Sequence, residues 1–178
     1  MAFWLLALGV FLIDRLTKSF VTSILGEGGT IPVIPGILHI TFVLNPGGAF
    51  GLLPQGTIFF TLVTLVVFTA VIWYYISQRP RHWAVVTALG LVLGGTAGNL
   101  YDRLVIGKVI DWIDFRIFPV FNVADAALVT GLGLISLLIL WPGGPLSESG
   151  PDHAKRDDIS GGREDQSDPD DQADGRGQ

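Results

Sequence analysis

The segment Thr57–Ile76 reads TIFFTLVTLVVFTAVIWYYI and contains no charged residue. A helix needs about 20 predominantly apolar residues to cross the hydrocarbon core of a bilayer, so this segment predicts a transmembrane helix. Three more segments have a similar length and character: about Ala2–Leu25, Trp83–Tyr101 and Val123–Trp141. The sequence therefore predicts an α-helical membrane protein with four transmembrane helices.

Few charges interrupt these apolar segments. The third segment has none and the fourth contains only Asp125, whereas the first contains Asp14, Arg15 and Lys18. Ionisable residues near lipid-embedded segments are costly and usually functional, so Asp125 is a first candidate for a site.

The C-terminal part of the chain differs in kind. Residues 142–178 contain ten acidic and four basic residues and no aromatic residue. Such a segment buries too little apolar surface to fold, so we expect a disordered acidic tail, separate from a membrane domain over residues 1–141. The chain has no cysteine, which excludes disulfides, thiol catalysis and Cys-ligated metals.

The connecting segments predict the orientation. Residues 77–82 contain Arg79 and Arg81 and no acidic residue, whereas residues 26–56 contain Glu27 and no Lys or Arg. The positive-inside rule then places residues 77–82 and both termini, including the tail, in the cytoplasm. Residues 26–56 and the loop 102–122 lie on the extracytoplasmic side.

The first outer segment has strand character. Residues 37–44, ILHITFVL, are rich in β-branched and aromatic residues, with Pro32 and Pro35 before them and Pro46 after them. Open strand edges are not tolerated in hydrocarbon, so we expect a small extracytoplasmic β element at the membrane interface.

With this topology, most polar residues of the membrane domain gather at the outer face. They are Asn45, Asn99, Asp102, Arg103, Asp111, Asp114, Asn122 and Asp125, with Asp14 somewhat deeper. This clustering predicts a functional site near that face.

Asp111 and Asp125 are the strongest chemical candidates. Two carboxylates held close together share a proton, so one can act as a base on water while the other donates a hydrogen bond to a carbonyl. The pattern favours peptide hydrolysis without a metal or cofactor. The three histidines are far apart, and no HExxH or GxSxG motif is present.

Several of these residues also have purely structural interpretations. Asn122 is a natural N-cap for the fourth helix, with Asp125 favoured by the helix dipole. Asp102 and Arg103 are an acid and a base at a helix end, where the Arg can also pair with other carboxylates. Asp14, with Arg15 and Lys18, favours a packing ion pair between helices, and Asp114 is expected to be solvated in the loop.

Two other functions remain open from the residues alone. Asp14, Asp102, Asp111 and Asp125 could line a proton or cation path in a transporter or channel subunit. The glycines Gly94, Gly95 and Gly98 could serve a membrane scaffold through close helix packing.

Five short motifs, in order along residues 1–141, resemble those of the lipoprotein signal peptidase (signal peptidase II) family. They are DRLTK at 14–18, NPGGAFG at 45–51, GGTAGNLYDR at 94–103, VIDW at 109–112 and FNVAD at 121–125. The corresponding family patterns are D-Q-x-T-K, N-x-G-A-A-F, G-G-x-x-G-N-x-x-D-R, V-x-D-F and F-N-x-A-D.

The resemblance implies an aspartic endopeptidase of the bacterial inner membrane. Such an enzyme removes the signal peptide from prolipoproteins by cleaving before the diacylglyceryl-modified cysteine. It implies that Asp111 and Asp125 are catalytic, and it assigns supporting or substrate-binding roles to Asp14, Asn45, Asn99, Asp102, Arg103 and Asn122. It also implies an outer β-cradle over about Ile31–Phe50 and a mobile loop over the site at Asp102–Asn122. We expect a monomer in contact with membrane lipid and without a nucleic-acid partner.

The sequence departs from the family patterns at three positions. Arg15 replaces the usual Gln, Gly48 replaces an Ala, and Trp112 replaces a Phe. None of these changes affects the two aspartates.

Overall fold

The structure is a computed structural model that describes residues 1–47, 56–142 and 144–146. The described residues form four long helices, α1 (Ala2–Ile24), α2 (Thr57–Gln78), α3 (Trp83–Val105) and α4 (Val123–Leu140). They also form three strands, β1 (Thr30–Ile34), β2 (Leu38–Asn45) and β3 (Val109–Asp114). The chain divides into a compact unit, Met1–Leu137, and a second unit, Leu138–Gln178.

The second unit is described only at residues 138–142 and 144–146, which comprise the end of α4 and a turn. In that turn, the Gly144 N–H donates to the Trp141 carbonyl at 2.9 Å. Most of the predicted disordered tail lies outside the described residues and stays a prediction.

Three of the helices, α2, α3 and α4, are long and apolar enough to cross a membrane. The helix α1 has 23 residues, but its three charged residues set it apart from the others. The apolar helices of the predicted fold class are therefore confirmed, while α1 as a fourth span stays a prediction. The helix α3 continues to Val105, four residues beyond its predicted end.

The centre of the membrane unit is α3, because most of its side chains are buried whereas those of α2 and α4 are mostly exposed. Small residues allow the neighbouring helices to approach it closely. A Cβ added to Gly94 would lie 2.6 Å from Val10 Cβ of α1, and one added to Gly131 of α4 would lie 2.7 Å from Val92 Cγ2 of α3. The core thus consists of α3 with α1 and α4 packed against it at these glycines.

The three strands form one antiparallel sheet in the order β1-β2-β3. A tight turn with Gly36 at φ +77° connects β1 to β2, which confirms strand structure in the first outer segment. The pairing of β2 with β3 places Val43 opposite Asp111 and Asn45 opposite Val109. The part of this segment from residue 48 to 55, including Gly48 and Phe50, lies outside the described residues.

The segment predicted as an outer loop, residues 102–122, contains regular secondary structure. Residues 102–105 belong to α3, and Val109–Asp114 form β3. The reason is a long-range partner: the edge of β2 supplies backbone hydrogen bonds to a segment more than 60 residues away in the sequence. This strand carries Asp111 into the buried interior.

Candidate active site

Asp111 and Asp125, called here the Asp pair, both accept hydrogen bonds from Asn122. The side-chain amide of Asn122 donates to Asp111 Oδ1 at 2.6 Å, and the Asn122 backbone N–H donates to Asp125 Oδ2 at 3.3 Å. Asp111 comes from β3 and Asp125 from the first turn of α4. The fold therefore unites two carboxylates that the sequence separates by fourteen positions.

The N-cap interpretation of Asn122 is also confirmed. Its Oδ1 accepts a hydrogen bond from the Asp125 N–H at 2.9 Å, while the Asp125 carboxylate accepts one from the Asn122 N–H. This reciprocal pattern is a capping box. Because Asn122 Oδ1 accepts the α4 backbone N–H, the NH₂ group of Asn122 points towards Asp111. The same side chain therefore caps α4 and contacts the candidate site.

Asn45 provides the second donor to Asp111. Its Nδ2 donates to Asp111 Oδ2 at 2.9 Å, and its Oδ1 accepts the Gly47 N–H at 3.0 Å. The bond from Gly47 fixes the orientation of the amide, so the NH₂ group faces the carboxylate. Asn45 ends β2 next to β3, so the strand register places it there.

Asp111 is almost completely buried, with 2% of its surface exposed. Burial, followed by the negative charge of Asp125, raises the pKa of Asp111 to about 7, against the lowering effect of hydrogen bonds from Asn45 and Asn122 and of the Lys18 charge. Near neutral pH the Asp pair therefore retains a proton for part of the time, as an acid/base pair requires.

Asn99 connects Asp125 to the interior of the protein. Its Nδ2 donates to Asp125 Oδ1 at 2.6 Å, and its Oδ1 accepts from Asn122 Nδ2 at 3.1 Å and from Lys18 Nζ at 3.2 Å. An ammonium group can only donate, so Lys18 fixes the direction in which the Asn99 amide points.

Lys18 lies at the centre of an ion cluster made of Asp14, Arg15, Lys18 and Asp102. Its Nζ is 2.8 Å from Asp14 Oδ2 and 2.7 Å from Asp102 Oδ2, and Arg15 pairs with the other oxygen of Asp102. The Lys18 side chain is fully buried. Sequence reasoning did not assign Lys18 to the site, although its spacing four residues after Asp14 in an apolar helix is a signal that could have found it.

The two acids of the ion cluster also hold the elements that carry the Asp pair. Asp14 Oδ1 accepts the Ala124 N–H at 3.0 Å at the start of α4, and Asp102 Oδ2 accepts the Ile110 N–H at 3.2 Å in β3. Asp14 forms its ion pair with Lys18 inside α1, and the ion pairs between helices are those of Arg15 and Lys18 with Asp102, so the predicted interhelical ion pair of Asp14 is wrong. Asp14 instead contacts α4 through the backbone beside Asp125.

Arg103 lies near the Asp pair without contacting it. Its guanidinium donates to Thr64 Oγ1 of α2 at 3.2 Å, and its charge interacts with those of Asp125 and Asp111. None of the ion pairs among the described residues includes Arg103.

The expectation that Asp114 is solvated is wrong. It is 5% exposed, and it accepts hydrogen bonds from Thr41 Oγ1 at 2.7 Å and from the Arg116 N–H at 2.8 Å. Burial acts to raise the pKa of Asp114, but these hydrogen bonds and the Arg116 charge outweigh it and hold the pKa below its usual value. Asp114 belongs to the sheet and to neither the Asp pair nor the ion cluster.

Comparison with known proteins assigns this network to a family. The family profile described as signal peptidase (SPase) II matches residues 6–141, which contain all the residues of the site. The chain belongs to the signal peptidase II family. The resemblance of its five motifs is thereby confirmed, and the chain is a protease that resides in a bacterial membrane.

Curated relatives of this signal peptidase II family member cover most of its length. It is 46% identical over 131 residues to a lipoprotein signal peptidase of Pelotomaculum thermopropionicum, a match that spans 74% of this chain and 86% of the relative. It is 45% identical over 141 residues to one of Desulfitobacterium hafniense, which spans 79% of this chain and 93% of the relative.

Solved structures agree with the fold. A bacterial membrane enzyme determined by the in meso method at 2.3 Å resolution superposes with a TM-score of 0.69 at 31% identity, over 90% of each chain. A second, at 1.9 Å resolution, gives a TM-score of 0.69 at 34% identity and covers 76% of this chain and 90% of its own. The fold of this chain is therefore similar to that of two solved bacterial membrane enzymes.

Proposed function

We propose that this signal peptidase II family member is an aspartic endopeptidase that removes the signal peptide from prolipoproteins. It cleaves the peptide bond before the diacylglyceryl-modified cysteine, with Asp111 and Asp125 as the catalytic residues. The observation that carries the proposal is that both carboxylates, from β3 and from α4, accept hydrogen bonds from Asn122.

The chemistry follows from one proton shared by the Asp pair. The ionised carboxylate takes a proton from water, whose oxygen attacks the carbonyl carbon, while the protonated carboxyl group donates its proton to the carbonyl oxygen. The resulting tetrahedral intermediate then collapses, the C–N bond breaks and the leaving amine takes up a proton. The products are a signal peptide with a new carboxylate and a lipidated cysteine with a free amino group.

The supporting residues have distinct roles in this proposal. Asn45, Asn99 and Asn122 supply directed N–H donors that hold the two carboxylates in place. Asp14 and Asp102 anchor the backbone beside Asp125 and Asp111. Arg103 contributes a positive charge beside the pair and is available to bind a substrate carbonyl.

The proposal includes a topology with four spans. In it α1 is the fourth transmembrane helix, its charges being neutralised inside the ion cluster, and both termini are cytoplasmic. The Asp pair then lies near the outer face of the bacterial inner membrane, where a lipidated cysteine is located. Ile117 and Phe118, which are 94% and 62% exposed, would contact lipid beside the site, and the enzyme is expected to act as a monomer.

The two alternative functions receive less support. A transport path calls for acids distributed through the membrane depth, whereas Asp14, Asp102, Asp111 and Asp125 all join one hydrogen-bonded network with Lys18 and the asparagines. A scaffold leaves that network without a purpose. Membership of a protease family favours hydrolysis over both.

A cleavage assay with purified protein in detergent tests the proposal. The substrate is a diacylglyceryl-modified prolipoprotein peptide, the control is the same peptide without the lipid, and each is assayed with and without a chelator. We expect cleavage before the lipidated cysteine only, at a rate that the chelator does not change. Cleavage at another bond, or loss of activity with the chelator, would contradict the proposal.

A further inference from the structure

The hydrogen bond between Arg103 and Thr64 joins α3 to α2 beside the Asp pair. The donor is the Arg103 guanidinium, the acceptor is Thr64 Oγ1, and their separation is 3.2 Å. Thr64 lies seven residues after the start of α2, which is about 10 Å along the helix axis. The charged end of Arg103 therefore lies beside the second turn of α2.

The direction of the Arg103 side chain has a simple origin. Side chains of a helix lean towards its N-terminus, and Arg103 is in the last turn of α3. Its guanidinium consequently extends back along α3, where Thr64 of α2 supplies a polar partner.

Three carboxyl groups attract the same guanidinium. Arg103 interacts electrostatically with Asp125, Asp111 and Asp102, and opposite charges attract strongly where the local dielectric constant is low. Among the described residues, however, Arg103 forms no ion pair. Thr64 accepts the single hydrogen bond that Arg103 donates to a described residue.

We propose that Thr64 is a positioning residue that holds Arg103 beside the Asp pair and prevents it from forming an ion pair with either aspartate. This inference rests on the proposed function. A guanidinium bound directly to Asp111 or Asp125 would favour the state in which both are ionised, and would remove the proton that one of them must donate. The hydroxyl of Thr64 therefore preserves the acid member of the pair.

The pH dependence of the reaction involves every charged group around the pair. These groups are Asp14, Arg15 and Lys18 on α1, Asp102 and Arg103 on α3, Asp111 on β3 and Asp125 on α4. Thr64 is uncharged, so its replacement changes the position of Arg103 without changing this set.

Two substitutions at Thr64 separate the hydroxyl from the packing. T64V keeps the shape and loses the acceptor, whereas T64S keeps the acceptor and loses a methyl group. We expect T64V to lower kcat about three- to tenfold, which corresponds to a membrane hydrogen bond of about 0.6–1.4 kcal/mol, with the alkaline limb of its pH–rate profile at lower pH. T64S should retain most of the wild-type rate and the wild-type profile.

The matched control is T69V on the same helix. Thr69 is exposed, and among the described residues its hydroxyl bonds only to the Leu65 carbonyl of its own helix, so T69V should behave as wild type. Unfolding curves in detergent establish that the variants are folded.

The possible results lead to different conclusions. A wild-type rate and pH–rate profile for T64V would overturn the positioning role. A greater loss of kcat in T64S than in T64V would also overturn it, because packing alone predicts that order. If wild-type protein does not cleave the lipidated peptide, the proposed function fails and this inference fails with it.

Discussion

Replacement of Lys18 by Met should destabilise the protein severely. The ammonium of Lys18 is the partner of two buried carboxylates, at 2.8 Å from Asp14 and 2.7 Å from Asp102. Met fills a similar volume but carries no charge. Asp102 keeps Arg15 as an ion-pair partner, so within the ion cluster K18M leaves Asp14 as the one carboxylate without such a partner.

The size of the effect follows from that single charge. Removal of one partner from a buried ion pair costs about 3–5 kcal/mol of the free energy of unfolding. The double variant D14N/K18M removes both charges, and the side-chain oxygen of the substituted amide can still accept the Ala124 N–H that Asp14 accepts at 3.0 Å. We therefore expect the double variant to recover most of the lost stability, to within about 1.5 kcal/mol of wild type.

The assay is equilibrium unfolding in mixed detergent and SDS micelles for wild type, K18M, D14N and D14N/K18M. K108M is the control, because Lys108 lies outside the ion cluster and belongs to none of the ion pairs among the described residues. The reasoning is refuted if K18M loses less than about 1 kcal/mol, or if the double variant is as unstable as K18M.

Two further predictions concern packing and titration. A Cβ at Gly98 would lie 2.5 Å from Asp14 Oδ2 and 3.1 Å from Ala124 Cβ, so G98A should lower the free energy of unfolding by about 1–3 kcal/mol. A Cβ at Gly9 would have no atom of the described residues within 4 Å, so G9A should leave the free energy of unfolding unchanged or raise it by up to about 1 kcal/mol. Because the pKa of Asp111 is raised to about 7, its ionisation costs the folded state, and wild type should lose stability relative to D111N as pH rises from about 4 to 7. Unfolding at pH 4 and pH 8 tests this, and a stability difference that does not change with pH would contradict it.

The apolar helices were predictable because their signal is local. Residues 57–76 have a continuous apolar pattern, and the structure places α2 at Thr57–Gln78. The predicted start of the fourth helix at Val123 also agrees, because Asn122 and Asp125 form a capping box that is visible in the sequence. Local composition and capping suffice for such elements.

The end of α3 and the strand β3 were not predictable in the same way. The predicted third span is the uncharged segment that ends at Tyr101, whereas α3 continues through Asp102 and Arg103 to Val105. Their polar groups bind Lys18, Arg15 and Thr64 on other helices, so the helix continues within the protein interior. Partners so far away in the sequence leave no local signal.

The sequence predicted most residues of the candidate site but few of the contacts between them. Asn45, Asn99, Asn122 and the Asp pair were all selected from the sequence, and the structure brings them into one network. The central position of Lys18 was missed because its three partners lie on α1 and α3, and only the fold shows that one ammonium serves them all. Arg103 was also selected from the sequence, but its bond to Thr64 depends on helix packing.

The activity of D111N and D125N tests the central claim most directly. Each variant is purified beside wild type and E27Q, a control in which an exposed acid distant from the Asp pair in the sequence is neutralised. Cleavage of the lipidated peptide is then measured at several pH values on samples whose unfolding curves show a folded protein. The account predicts wild-type cleavage by E27Q and no measurable cleavage by either aspartate variant at any pH, since Asn can neither accept a proton from water nor donate one to the carbonyl. Turnover by folded D111N or D125N at more than a small fraction of the wild-type rate would contradict it.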